Sequence, residues 1–345
     1  MLTGSRSAAS APRGVKDAGM HEFPQTIVHI IGCSRSGSTI LDRTLGHHSQ
    51  AFSIGEIINF QPEYQENHIC GCGKLLHNCG FWNEVLRRIG KATGESPEAL
   101  VRAYQLNPSF TASSRLSKTL SKLKHGAGLL LRLPPQAFTD TKVFEKTGLL
   151  YDAVFQLSGK RLLIDSSKSI SRALLLSRSL KQYKHRFIHL VRDGRGVVHS
   201  KLKKSYSVKI KDDEGNLVSR EIGLQHNLTV KDAADDWVKV NRKADRVIAF
   251  TGIKDRSTQI LFEEFLAQPE QVITGFLDSL GLPFEPEMLS FTYGDNHMVC
   301  GNSSRLNAIR LRKEENDWDA LLSPEWIQIF NERGGKRLNE KYGYQ

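Results

Sequence analysis

No run of roughly eighteen apolar residues occurs in this chain of 345, so a membrane-spanning helix is not expected. The first 24 residues, rich in Ser, Ala, Gly and Arg, lack the apolar stretch of a secretory signal. They are expected to form a disordered leader. Cysteine is sparse, with five residues, an odd number that fits a secreted disulfide scaffold poorly. Internal repeats and low-complexity tracts are missing too. A soluble, cytoplasmic protein is therefore the expectation. Acidic residues are the minority, 37 against 48 Lys and Arg, for a formal net charge of +11. That balance suits an acidic ligand, an acidic substrate or an anionic surface without choosing among them. The length allows one large α/β domain or two smaller ones.

What the chain does have is concentrated in residues 27–41. Ile27 to Ile31 form a short, β-rich apolar run, Gly32 to Gly37 a Gly/Ser turn with one arginine, and a helix start follows. A strand that breaks into such a turn and restarts as a helix aims backbone N–H groups and the positive end of the helix dipole at one spot. Ser34, Ser36, Ser38 and Thr39 add hydroxyl donors, Gly37 eases the bend, and Arg35 adds a fixed positive charge. The segment reads as a phosphate- or sulfate-binding loop. Its Gly32-to-Gly37 spacing is that of the triphosphatase loop G-x-x-x-x-G-K-[ST], yet Ser38 stands where the lysine belongs. A metal-free anion transfer explains that swap better than a damaged ATPase.

The segment Leu190-Val-Arg-Asp-Gly-Arg-Gly-Val-Val-His-Ser200 yields to the same reading. Arg192 leaves the end of an apolar strand, Asp193 can cap the next helix, and Ser200 follows about two turns later. Arginine and serine placed so can touch one phosphate. Together the two segments resemble the sulfotransferases that use 3′-phosphoadenosine-5′-phosphosulfate (PAPS). In that family R/K-S-G-[ST]-[ST] holds the 5′-phosphosulfate and L-V-R-D-x-R-x-x-x-x-S holds the 3′-phosphate. Here they read Arg35-Ser-Gly-Ser-Thr39 and Leu190 to Ser200, with the family's step from Arg192 to Ser200. Leu261-Phe-Glu-Glu-Phe265 with Pro269, then Gly281-Leu-Pro283, echo further family elements. So does the tail His297-Met-Val-Cys-Gly-Asn-Ser-Ser-Arg305.

The resemblance implies PAPS as sulfuryl donor, no metal, and a small-molecule, carbohydrate or peptide acceptor, with no nucleic acid as partner. It places Arg35 on the donor phosphosulfate, with Ser34, Ser36, Gly37, Ser38 and Thr39 around the 5′ end. Arg192 and Ser200 are expected at the 3′-phosphate, helped by Asn302, Ser303 and Arg305. Arginine does not lose its proton, so Arg35 would stabilise charge growing on the bridging oxygen. For the general base, Gly55-Glu56 matches the Gly-Glu pair of the tyrosyl-protein branch, with Asp165 as the second choice. Lys168 is a further candidate for contact with the sulfuryl group. His48 matches a family position that looks structural.

Strands alternating with helices predict a P-loop-like α/β fold, a parallel sheet with helices on both faces plus a mostly helical insertion. Residues 25–345 are expected to form a single domain, with the insertion at about 60–148. Ligands of such sheets sit beyond the carboxyl ends of the strands, so Gly32–Thr39, Asp165–Lys168 and Arg192–Ser200 should converge. Within the insertion, Cys70, Cys72 and Cys79 cluster near His68 and His77, at a spacing that is not one of the strong zinc patterns. Reduced thiols, a local disulfide and a zinc staple all remain open, and no metal ligand is assigned. The basic run Ser114 to Lys124 carries leucines at helical spacing and reads as a solvated face or a lid over the acceptor.

Two rivals stand beside this reading. Arg161-Leu-Leu-Ile-Asp165 imitates the strand and aspartate that hold magnesium in an ATP-dependent P-loop phosphotransferase. A non-enzymatic polyanion binder would use the net charge, but gives no reason for two anion loops at strand ends.

Overall fold

The computed structural model describes residues 24–103, 142–203, 205–211, 217–223, 227–292, 294–307, 309–310 and 322–345. Five strands, β1 (Thr26–Gly32), β2 (Ala51–Gly55), β3 (Leu162–Lys168), β4 (Lys184–Val191) and, last in the chain, Ser257–Leu261, form one sheet. All four pairings are parallel, and the first strand of the chain lies at the centre between β3 and β4. β1 is wholly buried, which is what its apolar, β-branched sequence demands of a strand covered on both faces. Its side chains alternate between two cores: Ile27 and Ile31 join one, Val28 and Ile30 the other.

Helix α1 (Ser38–Gly46) and the helices after the last sheet strand pack on the Val28 face. The other face is covered by the insertion, in which α2 (Phe60–Gln65), α3 (Gly80–Thr93), α4 (Pro97–Ala103) and α5 (Lys142–Ser158) are described. With α6 (Ile170–Ser179) they bury Trp82, Tyr151 and Leu175. This is the expected layering, helices on both faces of a parallel sheet. The basic run 114–124 lies outside the described residues.

From β4 the chain enters α7 (Gly194–Leu202), then the antiparallel hairpin β5 (Ser205–Lys211) and β6 (Leu217–Gly223). The long helix α8 (Val230–Phe250) follows, opened by a capping box in which Thr229 and Asp232 exchange hydrogen bonds. β7 (Ser257–Leu261) runs directly into α9 (Phe262–Ala267), and Pro269 starts α10 (Pro269–Asp278). The short strands β8 (Ser290–Phe291) and β9 (Ile309–Arg310) pair, and α11 (Pro324–Glu332) and α12 (Gly335–Lys341) pack near α8. Among the described residues no helix is long and apolar enough to cross a membrane.

The order β2-β3-β1-β4-β7 has a consequence for binding. After β1 the chain turns toward β2; after β4 it turns the other way, toward β7. The loops leaving these two neighbours diverge and leave a crevice at their carboxyl ends. Asp165 to Lys168 do not follow the third strand but complete it, with Asp165 level with His29 of β1 and Gly55 of β2. The apolar run stops at Ile164, but the ladder continues because buried partners satisfy the polar residues.

Candidate active site

The first anion loop occupies the crevice. Gly37 is the N-cap of α1 in the left-handed region (φ 86°) and, having no side chain, cannot itself cap the first N–H groups of the helix. A side chain at Gly37 could not be housed: its Cβ would fall 2.0 Å from the Phe262 ring. Arg35 is also left-handed (φ 70°), a costly conformation for a residue with a Cβ. Ser36, Ser38 and Thr39 are buried, Arg35 is half-buried and Ser34 exposed. The hydroxyl of Ser36 is buried without a hydrogen-bond partner among the described residues. Such a group costs about 1–3 kcal/mol unless a ligand satisfies it.

The second anion segment meets the first directly. Arg192 Nη1 donates to Arg35 O at 3.3 Å, and the guanidinium lies 5.0 Å from the centre of the Phe262 ring. One phenylalanine thus supports both loops. Arg192 Nε is 3.9 Å from Glu263 Oε1, beyond hydrogen-bond range, and is buried without another partner among the described residues. As its sequence predicts, Asp193 caps α7, accepting from Arg195 N at 2.9 Å; Asn339 Nδ2 also donates to it. Burial pushes the Glu263 carboxyl up, against hydrogen bonds from the Tyr344 hydroxyl and Asp193 N–H. Ser200 sits half-buried about two turns into α7.

On the other side of β1, Glu56 follows β2 and its N–H donates to Val299 O at 2.8 Å. Lys168 Nζ donates to Glu56 Oε1, so these two candidates do come together. Asp165 does not join them as an available base. It is buried and accepts from the Tyr151 hydroxyl (2.5 Å), Arg172 Nη1 (2.8 Å), Ser167 N (2.9 Å) and the Ser167 hydroxyl. Burial pushes the Asp165 carboxyl up, but the Arg172 charge, with help from His29 and these hydrogen bonds, holds it down at about 2. Tyr151 and Arg172 carried no sequence signal, being on helices before and after the strand.

A late loop closes the site. Asn302 N donates to Thr39 Oγ1 at 3.1 Å, and a Cβ on Gly301 would lie 3.6 Å from Glu56 Oε1. Ser303 donates to Asn302 Oδ1. Arg305 spends Nη1 on Gly301 O and Nη2 on Ile69 O, bracing the loop from within; its Nε is buried and unpartnered among the described residues. Arg43 of α1, unremarked in the sequence, clasps the same region: it donates to Ser304 O, Asn307 O and Thr292 O and pairs with Asp295 at 2.8 Å. His48 donates from Nε2 to Pro283 O at 3.0 Å and accepts from Gln50 N at Nδ1, also at 3.0 Å, contacts that fit its structural reading.

Comparison with known proteins decides the family. The family model described as the sulfotransferase family matches residues 28–286, well over half of the chain. The chain belongs to that family. This sulfotransferase is similar in structure to the sulfotransferase domain from the Synechococcus PCC 7002 olefin synthase, at 19% identity and TM-score 0.47, covering 96% of this chain and 99% of that one. The sulfotransferase domain from the curacin biosynthetic pathway gives 19% and 0.47, covering 93% and 98%. Sulfotransferase STF9 from Mycobacterium avium gives 12% and 0.40, covering 94% and 78%. Such loose likenesses say nothing of this sulfotransferase's donor or acceptor. No curated protein matches it. The late loop of the sulfotransferase, 297–305, lies beyond the family match, although it reaches both Thr39 and the segment around Glu56.

Proposed function

We propose that this sulfotransferase moves a sulfuryl group from PAPS to a hydroxyl or amine of a small-molecule, carbohydrate or peptide acceptor. The observation that carries the reading is the hydrogen bond from Arg192 to Arg35 O, which joins two anion segments across the β1–β4 crevice. The donor set fits a molecule with two separate anionic groups: a helix N-terminus and the orphaned Ser36 hydroxyl at one, Arg192 and Ser200 at the other.

In this reading PAPS supplies an activated sulfuryl group, and the chain supplies position and charge. The α1 N-terminus, Ser36, Ser38 and Thr39 hold the 5′ end. Arg35 offsets the negative charge that grows on the bridging oxygen as its bond to sulfur breaks and adenosine 3′,5′-bisphosphate leaves. Glu56 takes the proton from the acceptor as the new bond to sulfur forms. Lys168 orients the Glu56 carboxylate and stands next to the sulfuryl position. Asn302 and Ser303 close over the site through Thr39, while Arg305 shapes that loop. Asp165 is a positioning residue, fixing the end of β3 that carries Lys168. No step here calls on a metal.

The ATP-dependent phosphotransferase is the weaker reading. Its magnesium-binding aspartate would be Asp165, whose oxygens are occupied by Tyr151, Arg172 and Ser167. Calorimetric titration with adenosine 3′,5′-bisphosphate and with ATP plus Mg²⁺, on wild type and Arg192→Ala, tests the choice. Metal-independent binding of the bisphosphate that the variant loses is expected. Binding of ATP with Mg²⁺ alone would move the enzyme to the phosphotransferase class.

A further inference from the structure

Away from the donor crevice, four side chains from three separate places in the sequence converge. Cys70 and Cys72 sit on a tight turn closed by Cys70 N to Lys74 O (2.8 Å) and Gly73 N to Cys70 O (2.9 Å), flanked by a bridge between Ile69 and Leu75. Cys79 follows as the residue before α3. His297 arrives on the late loop, more than two hundred residues on. Its ring stacks on Phe81 at 4.7 Å, and its carbonyl accepts from Trp82 Nε1 at 2.8 Å. Gly71 makes the approach possible: Gly71 N donates to Met298 O at 3.0 Å, and a Cβ there would fall 1.8 Å from Asn296 Oδ1.

The three Sγ atoms and one imidazole nitrogen all lie within 4.8 Å of one another. Cys72 and Cys79 Sγ are 3.8 Å apart, and His297 Nδ1 is 3.4 Å from Cys79 Sγ and 3.9 Å from Cys70 Sγ. A tetrahedral zinc, with bonds of about 2.3 Å to sulfur and about 2.0 Å to nitrogen, sets such edges at ~3.8 Å and ~3.5 Å. Bonded disulfide sulfurs would be about 2.05 Å apart, and a disulfide would leave the third sulfur and the imidazole without a reason to converge.

We propose that Cys70, Cys72, Cys79 and His297 bind one zinc ion as a closed structural site. Binding deprotonates the three thiols, releases their protons to solvent and forms three Zn–S bonds and one Zn–N bond. Four protein ligands leave no open position, so the ion holds structure and takes no acceptor or water. What it holds is specific. His297 begins the segment whose Val299 pairs with Gly55 and whose Asn302 reaches Thr39, so the zinc pins the late loop to the cysteine turn beneath the site. The spacing of the cysteines alone is weak for zinc; the fourth ligand is what the fold adds.

The full chain, produced with zinc and purified without chelator, should carry one zinc by elemental analysis. Cys72→Ser and His297→Gln should lose it, while Cys33→Ala, altered in the anion loop, should keep it. Because either ligand variant could misfold, the wild type is also stripped and refilled with cobalt. The intense visible bands of tetrahedral, thiolate-bound cobalt are expected, and their absence in a folded, refilled chain would overturn the site. So would retention of zinc by both ligand variants, or a metal-free native chain in which mass spectrometry finds Cys72 and Cys79 in a disulfide or all thiols free. None of these readouts depends on the identity of the sulfuryl donor.

Discussion

The two sides of the central strand hold their candidate site residues differently. Toward β4, polar groups are left wanting: the Ser36 hydroxyl and Arg192 Nε are buried without hydrogen-bond partners among the described residues. Toward β2 and β3, the candidate carboxylates are engaged: Asp165 holds four donors and Glu56 holds Lys168, although Arg172 Nε and Nη2 lack partners among the described residues. On the proposed reading, a bound anionic ligand restores the stability that the first side gives up. The second keeps its chemistry assembled whether or not a ligand is present. In the proposed reaction, recognition and proton transfer are thus separated by the width of one strand.

The sharpest test of that division is Glu56→Gln. Loss of a general base should lower kcat by about 10²- to 10⁴-fold, while calorimetric affinity for adenosine 3′,5′-bisphosphate stays near wild type. A parallel loss of both would erase the distinction between the two sides.

Asp165→Ala should cost about 3–5 kcal/mol in denaturant unfolding, because it strands Arg172 in the interior. The folded Asp165 carboxyl titrates at about 2, below its ordinary value. Its stabilisation is therefore complete above that ordinary value and is lost as pH falls through about 2. Acid unfolding of the wild type should show this loss and that of the variant should not. Equal acid sensitivity in both proteins would mean that Asp165 is not the anchor of β3.

Arg192→Ala is the counterpart on the β4 side. It should weaken bisphosphate binding by about 10- to 100-fold, the worth of a charge-assisted contact, with little change in unfolding. Ser36→Ala carries the smallest effect and the most telling sign. Removing a buried, unpaired hydroxyl should leave the ligand-free protein as stable or up to ~1 kcal/mol more stable, yet cut bisphosphate affinity about fivefold. If stability falls instead, Ser36 is a structural hydroxyl and the contrast between the sides is overdrawn.

The crevice side was the legible one. The run Ile27 to Thr39 and the step from Arg192 to Ser200 carry their meaning locally, since strand, turn and helix start follow in order and the loops need no distant partner. Asp165 was misplaced because strand signals end at Ile164, while Tyr151 and Arg172, which allow polar residues to continue the ladder, are neighbours only after folding. The bracing of Arg305 on Gly301 O and Ile69 O was equally invisible, because Ile69 lies far from it in sequence. Arg43 and His297 lay beyond reach for the same reason: what each touches is remote in sequence. Polar residues whose partners are long-range are where sequence reading stops.

The central place of β1 also bears on how the chain comes to be folded. Thr26 is level with Leu162 on one neighbour and Lys184 on the other. During synthesis, the strand that carries the anion loop emerges first and waits longest, both apolar faces uncovered, until β3 and β4 are made. Contacts of such wide sequence separation are paid in loop-closure entropy, and they slow folding and prolong exposure to aggregation. The residues that make the crevice easiest to recognise are thus the ones that depend most on the rest of the chain arriving.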